Sequence, residues 1–291
     1  MHPPPLRAAV IGPGLLGLDL AERLTRSSSL VCALVAGRHS SAGLRRAERL
    51  GCAVSTGGID AVTGSGVDIV FDASSAAAHP RHRAELAAAG ILLVDLTPAG
   101  DGTIAAPTVN GDVARSRLHL SLASCGAQAA APVLAAAARH CTPHYVEVVT
   151  TAAAASVGPA GRRDLDEYIA TTGAAVRQFT GAPRVKVLTS LSPALPALAF
   201  RVQATLLAAD DDPDALREAV KTAAAVVRDS LVPGYRLADC AVTGGRITLT
   251  VDVSATGGRL PAYAGNVEII NASAVALAER HAAARTLRGT P

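Results

Sequence analysis

The chain has 291 residues, of which 49% are hydrophobic and 18% charged; this length corresponds to about two domains at roughly 100–200 residues each, and the composition excludes disorder. Every apolar run is broken by Gly, Pro or a charge short of the ~18–20 residues that cross a bilayer, and Met1-His2-Pro3-Pro4-Pro5 lacks the basic start and apolar stretch of a signal peptide, so no membrane is expected and the cytoplasm is the expected compartment. The 27 basic and 24 acidic side chains leave a net charge of +3 without basic blocks, and aromatics make up 2%, which argues against nucleic acid as a partner.

From Leu6 to Ile11 a short apolar run reads as a strand, Gly12-Pro13-Gly14-Leu15-Leu16-Gly17 as a glycine turn, and Leu18 to Arg26 as a helix. Leu30 to Val35 supplies a second strand, which closes a βαβ unit of the size a dinucleotide-binding half requires. Strands are predicted again at Asp68 to Asp72, Leu92 to Leu96 and Leu118 to Leu122, with a helix at Arg81 to Ala89. That alternation implies a parallel sheet of the Rossmann, doubly wound α/β type. An Ala-rich helix from Gln128 to Arg139 then leads into longer alternating runs at Tyr145 to Thr151, Val185 to Leu191, Ala199 to Leu207 and Arg246 to Val253. These predict a second, α+β domain with a mostly antiparallel sheet, its helices at Asp164 to Phe179 and Pro213 to Arg228. Ala272 to Arg285 reads as an amphipathic C-terminal helix.

Gly12, Gly14 and Gly17 match G-x-G-x-x-G, in which the first glycine permits the tight turn, the second lets a pyrophosphate approach the backbone, and the third packs helix on strand. The second strand ends in Val35-Ala36-Gly37-Arg38-His39-Ser40-Ser41, without the carboxylate that usually meets the ribose of NAD. Arg38 with Ser40 suits a 2′-phosphate instead, which favours NADP. The five cysteines, Cys32, Cys52, Cys125, Cys141 and Cys240, are odd in number and without a C-x-x-C pair, so neither a disulfide framework nor a metal site is expected. Cys125 stands apart: it follows a predicted strand at a predicted helix start, where the helix dipole should lower the thiol pKa, and Gly126 leaves room beside the sulfur. His79, after a predicted strand, reads as a surface loop residue.

The chain resembles the acylating acetaldehyde dehydrogenases of bacterial meta-cleavage pathways. The resemblance runs through Gly12 to Gly17, Phe71-Asp72-Ala73-Ser74-Ser75-Ala76-Ala77-Ala78-His79, Val94-Asp95-Leu96-Thr97-Pro98-Ala99, Ser124-Cys125-Gly126-Ala127-Gln128-Ala129, Asp164-Leu165-Asp166-Glu167-Tyr168, Val232-Pro233-Gly234-Tyr235-Arg236-Leu237 and Leu260-Pro261-Ala262-Tyr263-Ala264-Gly265-Asn266. It implies that Cys125 is the acyl-accepting nucleophile and that Pro13, Gly14, Leu15 and Leu16 form the pyrophosphate turn. It also implies that the loop from Ser156 to Arg162, with Gly158 and Pro159, lines the cofactor and that Asn266 contacts the nicotinamide. The implied activity interconverts an aldehyde, coenzyme A and NAD with acyl-CoA and NADH, in a homo-oligomer with an aldolase partner. The matching boundaries are residues 1–127 with 266–291 for the dinucleotide domain and 128–265 for the catalytic and oligomerisation domain.

Three departures bear on that activity. The family's Asp after Arg in a strand of the second domain, held to assist the thiol, is Val202 here; the ribose-binding acid is replaced by Arg38; and the stretch between Cys240 and Arg246 is shorter than in the family. Two alternatives follow: a non-catalytic dinucleotide-binding subunit that supports an aldolase-like partner, and a reductase of a carrier-bound thioester or acyl phosphate.

Overall fold

Leu6–Ile11 forms the first strand, β1, and Gly12 turns the chain into helix α1 (Leu15–Leu24) in a computed structural model that describes residues 4–288. There follow β2 (Leu30–Ala36), α2 (Ala42–Arg49), β3 (Ala53–Ser55), α3 (Gly58–Thr63), β4 (Ile69–Asp72), α4 (His79–Ala88), β5 (Leu92–Asp95), β6 (Thr103–Ile104), α5 (Pro107–Asn110) and β7 (His119–Ser121). The strands make one seven-stranded sheet in the order β3-β2-β1-β4-β5-β7-β6, all neighbours parallel. β4 and β5 are buried along their whole length, as strands covered on both faces must be. The order reverses between β1 and β4, and at such a switch point the loops beyond the strand ends diverge and leave a crevice.

α6 (Cys125–Ala137) opens the second set of elements, followed by β8 (Cys141–Ala153), α7 (Pro159–Arg163), α8 (Leu165–Thr180), β9 (Arg184–Ser192), β10 (Phe200–Asp211), α9 (Pro213–Ser230), β11 (Tyr235–Thr243) and β12 (Arg246–Val253). Their five-stranded sheet runs β11-β12-β10-β8-β9, antiparallel except for the β8–β9 pair. Alternation sets its faces: Val202, Ala204 and Leu206 of β10 and Ile247, Leu249 and Val251 of β12 point into a core shared with α6 and α9, while Arg201 and Gln203 point away. α10 (Gly265–Arg288) ends the described chain. Among the described residues no helix is long and apolar enough to cross a membrane.

Packing divides the chain into two units, residues 1–122 with 273–291 and residues 123–272. The sequence reading sets the boundaries a few residues away, at 127/128 and 265/266. Cys125 goes with the second unit because α6 is buried over almost all its length in the second core. The first turns of α10 go with it too, since Ile269 and Ala272 lie in that core.

Candidate functional site

The turn after β1 has the stereochemistry its glycines imply. Gly12 has φ +98°, and a Cβ there would lie 2.4 Å from the Ala73 carbonyl oxygen beyond β4; a Cβ on Gly17 would lie 2.0 Å from the Gly12 oxygen. Gly14 has nothing within 4 Å of its ideal Cβ and begins α1 without a side-chain cap. Open space at the middle glycine, at the positive end of a ten-residue helix, fits the approach of a pyrophosphate. Pro13 is fixed from behind, since Gly43 of α2 comes so close that a Cβ would lie 1.9 Å from the Pro13 oxygen. Arg38 and Ser40 are exposed just beyond β2, whereas the Ser41 hydroxyl is engaged as the N-cap of α2, accepting from Leu44 N at 3.1 Å.

Cys125 is the first residue of α6. Ser124 caps that helix by accepting from Ala127 N at 2.9 Å, and its hydroxyl lies 2.6 Å from Thr172 Oγ1 of α8. Ala123, the residue before, has φ +56°, the sole non-glycine among the described residues in the left-handed region. An alanine held there costs about 1–2 kcal/mol, and such strain clusters at functional positions. The sulfur lies 3.7 Å from Tyr168 Oη; the phenol donates to Thr150 Oγ1 at 3.2 Å, which in turn donates to Thr189 Oγ1 at 3.0 Å. A Cβ on Gly126 would fall 2.5 Å from Tyr168 Oη and 2.7 Å from Thr150 Cγ2. The room beside the sulfur is therefore what seats Tyr168.

The thiol is not easier to ionise than usual, contrary to the expectation from its helix position. Burial pushes Cys125 up to about 11, outweighing the Tyr168 hydrogen bond and the backbone N–H groups of Gly126 and Cys125, which act downward. Burial also raises Tyr168 well above the usual phenol range, with Cys125 adding to it, so the phenol is a donor and not a base. Val202, where the resemblance leads one to look for a carboxylate, is buried and pairs with Thr150 across β10 and β8. The nearby Asp252 is held by Arg201, with contacts of 2.7 and 3.0 Å, and by Arg236.

Ser156 and Asn266, 110 positions apart, meet: Asn266 Nδ2 donates to the Ser156 carbonyl oxygen at 3.2 Å, and Asn266 Oδ1 is buried without a hydrogen-bond partner. Such an atom fits an amide-bearing ligand, nicotinamide included. Arg162 closes its own loop, donating to Val157 O at 3.1 Å and Ala154 O at 2.5 Å; Gly158 caps α7 and Pro159 is its first residue.

Tyr168 and Thr150 escape sequence reasoning. Tyr168 lies within a string that carries the resemblance, but no spacing ties it to a cysteine 43 positions earlier. His79 is another miss: it is completely buried at the start of α4, with its Nδ1 3.1 Å from Asp72 Oδ2. An apolar strand, a short loop and a helix carry no sign of how deep the first helical residue lies.

A Rossmann-type sheet joined to an α+β unit with a cysteine at a helix start defines a two-domain dehydrogenase. Solved structures share the fold: aspartate semialdehyde dehydrogenase II of Vibrio cholerae, with TM-score 0.66 and 15% identity over 99% of this chain and 100% of that one, and a probable aspartate-semialdehyde dehydrogenase of Pseudomonas aeruginosa, with TM-score 0.66 and 17% identity over 94% and 98%. A family model described as "Prokaryotic acetaldehyde dehydrogenase, dimerisation" matches residues 125–261. Acetaldehyde dehydrogenase of Streptomyces griseus subsp. griseus is 46% identical over 94% of this chain and 90% of its own length, and acetaldehyde dehydrogenase 2 of Salinispora arenicola is 41% identical over 98% of each. The chain belongs to the prokaryotic acetaldehyde dehydrogenase family. It is an aldehyde dehydrogenase, and its class and Rossmann-type fold imply a nicotinamide dinucleotide as cofactor.

Proposed function

We propose that the protein is an acylating aldehyde dehydrogenase that interconverts a short aldehyde and acyl-CoA through a thioester on Cys125, with NADP favoured over NAD. The observation that carries this reading is the cysteine itself: it begins α6 behind a strained Ala123 and faces the Tyr168 phenol. In the oxidative direction the Cys125 sulfur attacks the aldehyde carbon and forms a thiohemiacetal. A bound nicotinamide would supply the hydride acceptor that turns this thiohemiacetal into the Cys125 thioester. The thiol of coenzyme A then displaces Cys125, its sulfur bonding to the acyl carbon while its proton goes to the departing Cys125 sulfur, which leaves more readily if the Tyr168 hydroxyl turns from Thr150 to donate to it. The Gly12 to Gly17 turn, with Pro13, Leu15 and Leu16, would hold the pyrophosphate, Arg38 and Ser40 the 2′-phosphate, and Asn266 Oδ1 the carboxamide. Ser156 orients Asn266, while Gly158, Pro159 and Arg162 shape the loop that carries Ser156.

With its thiol protonated at rest and Val202 in place of a base, proton removal falls to solvent or to the incoming substrate. The same two facts favour a second reading, a non-catalytic subunit. Cys125→Ala separates them: turnover of acyl-CoA with NADPH is expected to vanish while NADPH binding persists, and mass spectrometry of wild type incubated with acyl-CoA should find the acyl group on Cys125. Wild type without turnover and without an adduct would leave the non-catalytic reading standing. Pairing of two copies is proposed for the outward face of the five-stranded sheet, where Val149, Leu188 and Gln203 lie side by side, within the stretch that matches a dimerisation model.

A further inference from the structure

Four buried atoms of the first unit, His79 Nε2, Asp95 Oδ2, Asp101 Oδ1 and His119 Nε2, have no hydrogen-bond partner. Each of these residues can offer one ligand atom, and one such atom from each lies within 4.8 Å of those of the other three. The residues come from separate places: His79 opens α4, Asp95 ends β5, Asp101 lies in the loop before β6, and His119 opens β7. His79 Nε2 is 2.9 Å from Asp101 Oδ1, and His119 Nε2 is 3.9 Å from the same oxygen. The 2.9 Å contact is an ion-pair distance for a protonated imidazole but lacks hydrogen-bond geometry, so a cation shared by the two groups is a second way to satisfy both.

The far-side atoms of His79, Asp95 and Asp101 are already committed. Asp72 Oδ2 takes His79 Nδ1 at 3.1 Å and His82 Nδ1 at 2.9 Å, and Asp72 Oδ1 accepts from Ser74 Oγ at 2.6 Å. A carboxylate on Nδ1–H leaves Nε2 as a lone pair aimed inward, the arrangement by which proteins orient metal-binding histidines. Thr97 N donates to Asp95 Oδ1 at 2.7 Å, and Arg83 Nη1 to Asp101 Oδ2 at 2.7 Å. In both carboxylates one oxygen is fixed and the other is left over.

We propose that His79, Asp95, Asp101 and His119 together bind one divalent transition-metal ion, with zinc preferred. Two carboxylates and two neutral imidazoles balance the charge of such an ion and satisfy all four orphaned atoms at once. A doubly protonated His79 would face three carboxylates, Asp72 at 3.1 Å, Asp95 at 3.3 Å and Asp101 at 2.9 Å, but it leaves His119 Nε2 and Asp95 Oδ2 without hydrogen-bond partners. Imidazole in the set disfavours magnesium and calcium, which take oxygen ligands, and the absence of thiolate disfavours copper(I). Tetrahedral zinc holds its ligand atoms roughly 3.4 Å apart, so modest side-chain rotation closes the observed cluster. Four protein ligands leave no open position, which marks a structural site; here it would pin the loop after β5 to α4 and β7. The ion can enter past Asp101, whose side chain is 33% exposed.

Metal content of the full-length protein tests this. Protein stripped with chelator, incubated separately with zinc, manganese or magnesium and gel-filtered, should retain one zinc per chain by mass spectrometry and melt at a higher temperature than the stripped form. Asp101→Asn and His119→Gln should each weaken zinc binding at least tenfold, whereas Cys125→Ala should retain it. Cobalt should give visible four-coordinate bands in wild type that both variants lose. If His119→Gln does not fold, Asp101→Asn, at a partly exposed side chain, carries the test. The site is disproved if wild type retains no zinc, if it retains magnesium in preference, or if the variants retain as much zinc as wild type.

Discussion

A cysteine at the first position of a helix gains from the helix dipole, but only a few tenths to about 1 kcal/mol, and for Cys125 the loss of water around a buried sulfur is the larger effect. With the thiol at about 11, roughly a thousandth of it is thiolate at pH 8. Alkylation of Cys125 by iodoacetamide should therefore climb about tenfold per pH unit from pH 7 to 10 without a plateau, because the thiolate is the nucleophile. Tyr168 acts downward on this thiol, so Tyr168→Phe should slow alkylation at every pH in that range; an unchanged rate would mean that the phenol does not reach the sulfur in solution. Arg38 is the other residue that separates readings. An exposed guanidinium against a 2′-phosphate supports roughly a tenfold preference for NADPH over NADH, and Arg38→Asp should reverse it by adding repulsion. Equal dissociation constants in wild type would reduce Arg38 to a surface charge. Cys125 and Arg38 are legible in the sequence because each sits at a fixed offset from a strand end. Tyr168, Thr150 and the Asp72–His79 contact are not, since they depend on how separate elements pack.

The longer elements with an extended buried run are legible in the sequence; short ones are not, even where, as with Leu44 and Ala47 of α2 and Ile59 and Val62 of α3, they bury apolar side chains. β1 and β12 have the limits the sequence implies, Leu6–Ile11 and Arg246–Val253. β11 escapes because it is an edge strand whose side chains beyond Tyr235 are mostly exposed or half-buried. β3 has three residues, and in the eight residues of α2 the apolar face is reduced to Leu44 and Ala47 among Arg and Glu, too little to stand out in the sequence. The sequence pattern marks α10 only from Ala272, because Gly265-Asn266 reads as a turn. In fact Gly265 begins the helix, and its missing side chain lets the backbone approach Val253, where a Cβ would lie 1.9 Å from the carbonyl oxygen. Gly126 is the comparable case in α6. A methyl group there must displace Tyr168 or Thr150, so Gly126→Ala should destabilise the fold by about 1–3 kcal/mol in thermal or denaturant unfolding and lower turnover by more than that loss of folded protein explains. Full stability with full activity would show that the phenol moves aside freely.

At the scale of the whole molecule, the chain leaves its first unit at residue 122 and returns to it at 273, so the parallel sheet, whose strands all lie before residue 122, is packed by a helix from far along the chain. The returning part of α10 is tied down at points far apart in the sequence. Glu279 accepts from Ser27 Oγ at 2.7 Å, His281 Nδ1 meets Ala114 O at 2.9 Å, Arg280 donates to Pro107 O, and Arg285 Nη1 donates to Asp68 Oδ1 at 2.9 Å. Exposed ion pairs add little individually, so the burial of Ala274, Leu277 and Ala278, all fully enclosed, must supply most of the attachment. The sequence suggests an amphipathic helix here but does not locate these contacts, since Ala-rich composition blurs the difference between its faces. Leu277→Ala should cost about 2–5 kcal/mol, the range for emptying a buried leucine site. The location of the effect is as informative as its size. Because Leu277 belongs to the first unit, hydrogen exchange should quicken first in β1, β4 and β5, while β8, β10 and β12 keep their protection until global unfolding. Equal loss in both sheets would mean that the two units unfold as one, and loss centred on β8 and β10 would place this part of α10 with the second unit instead.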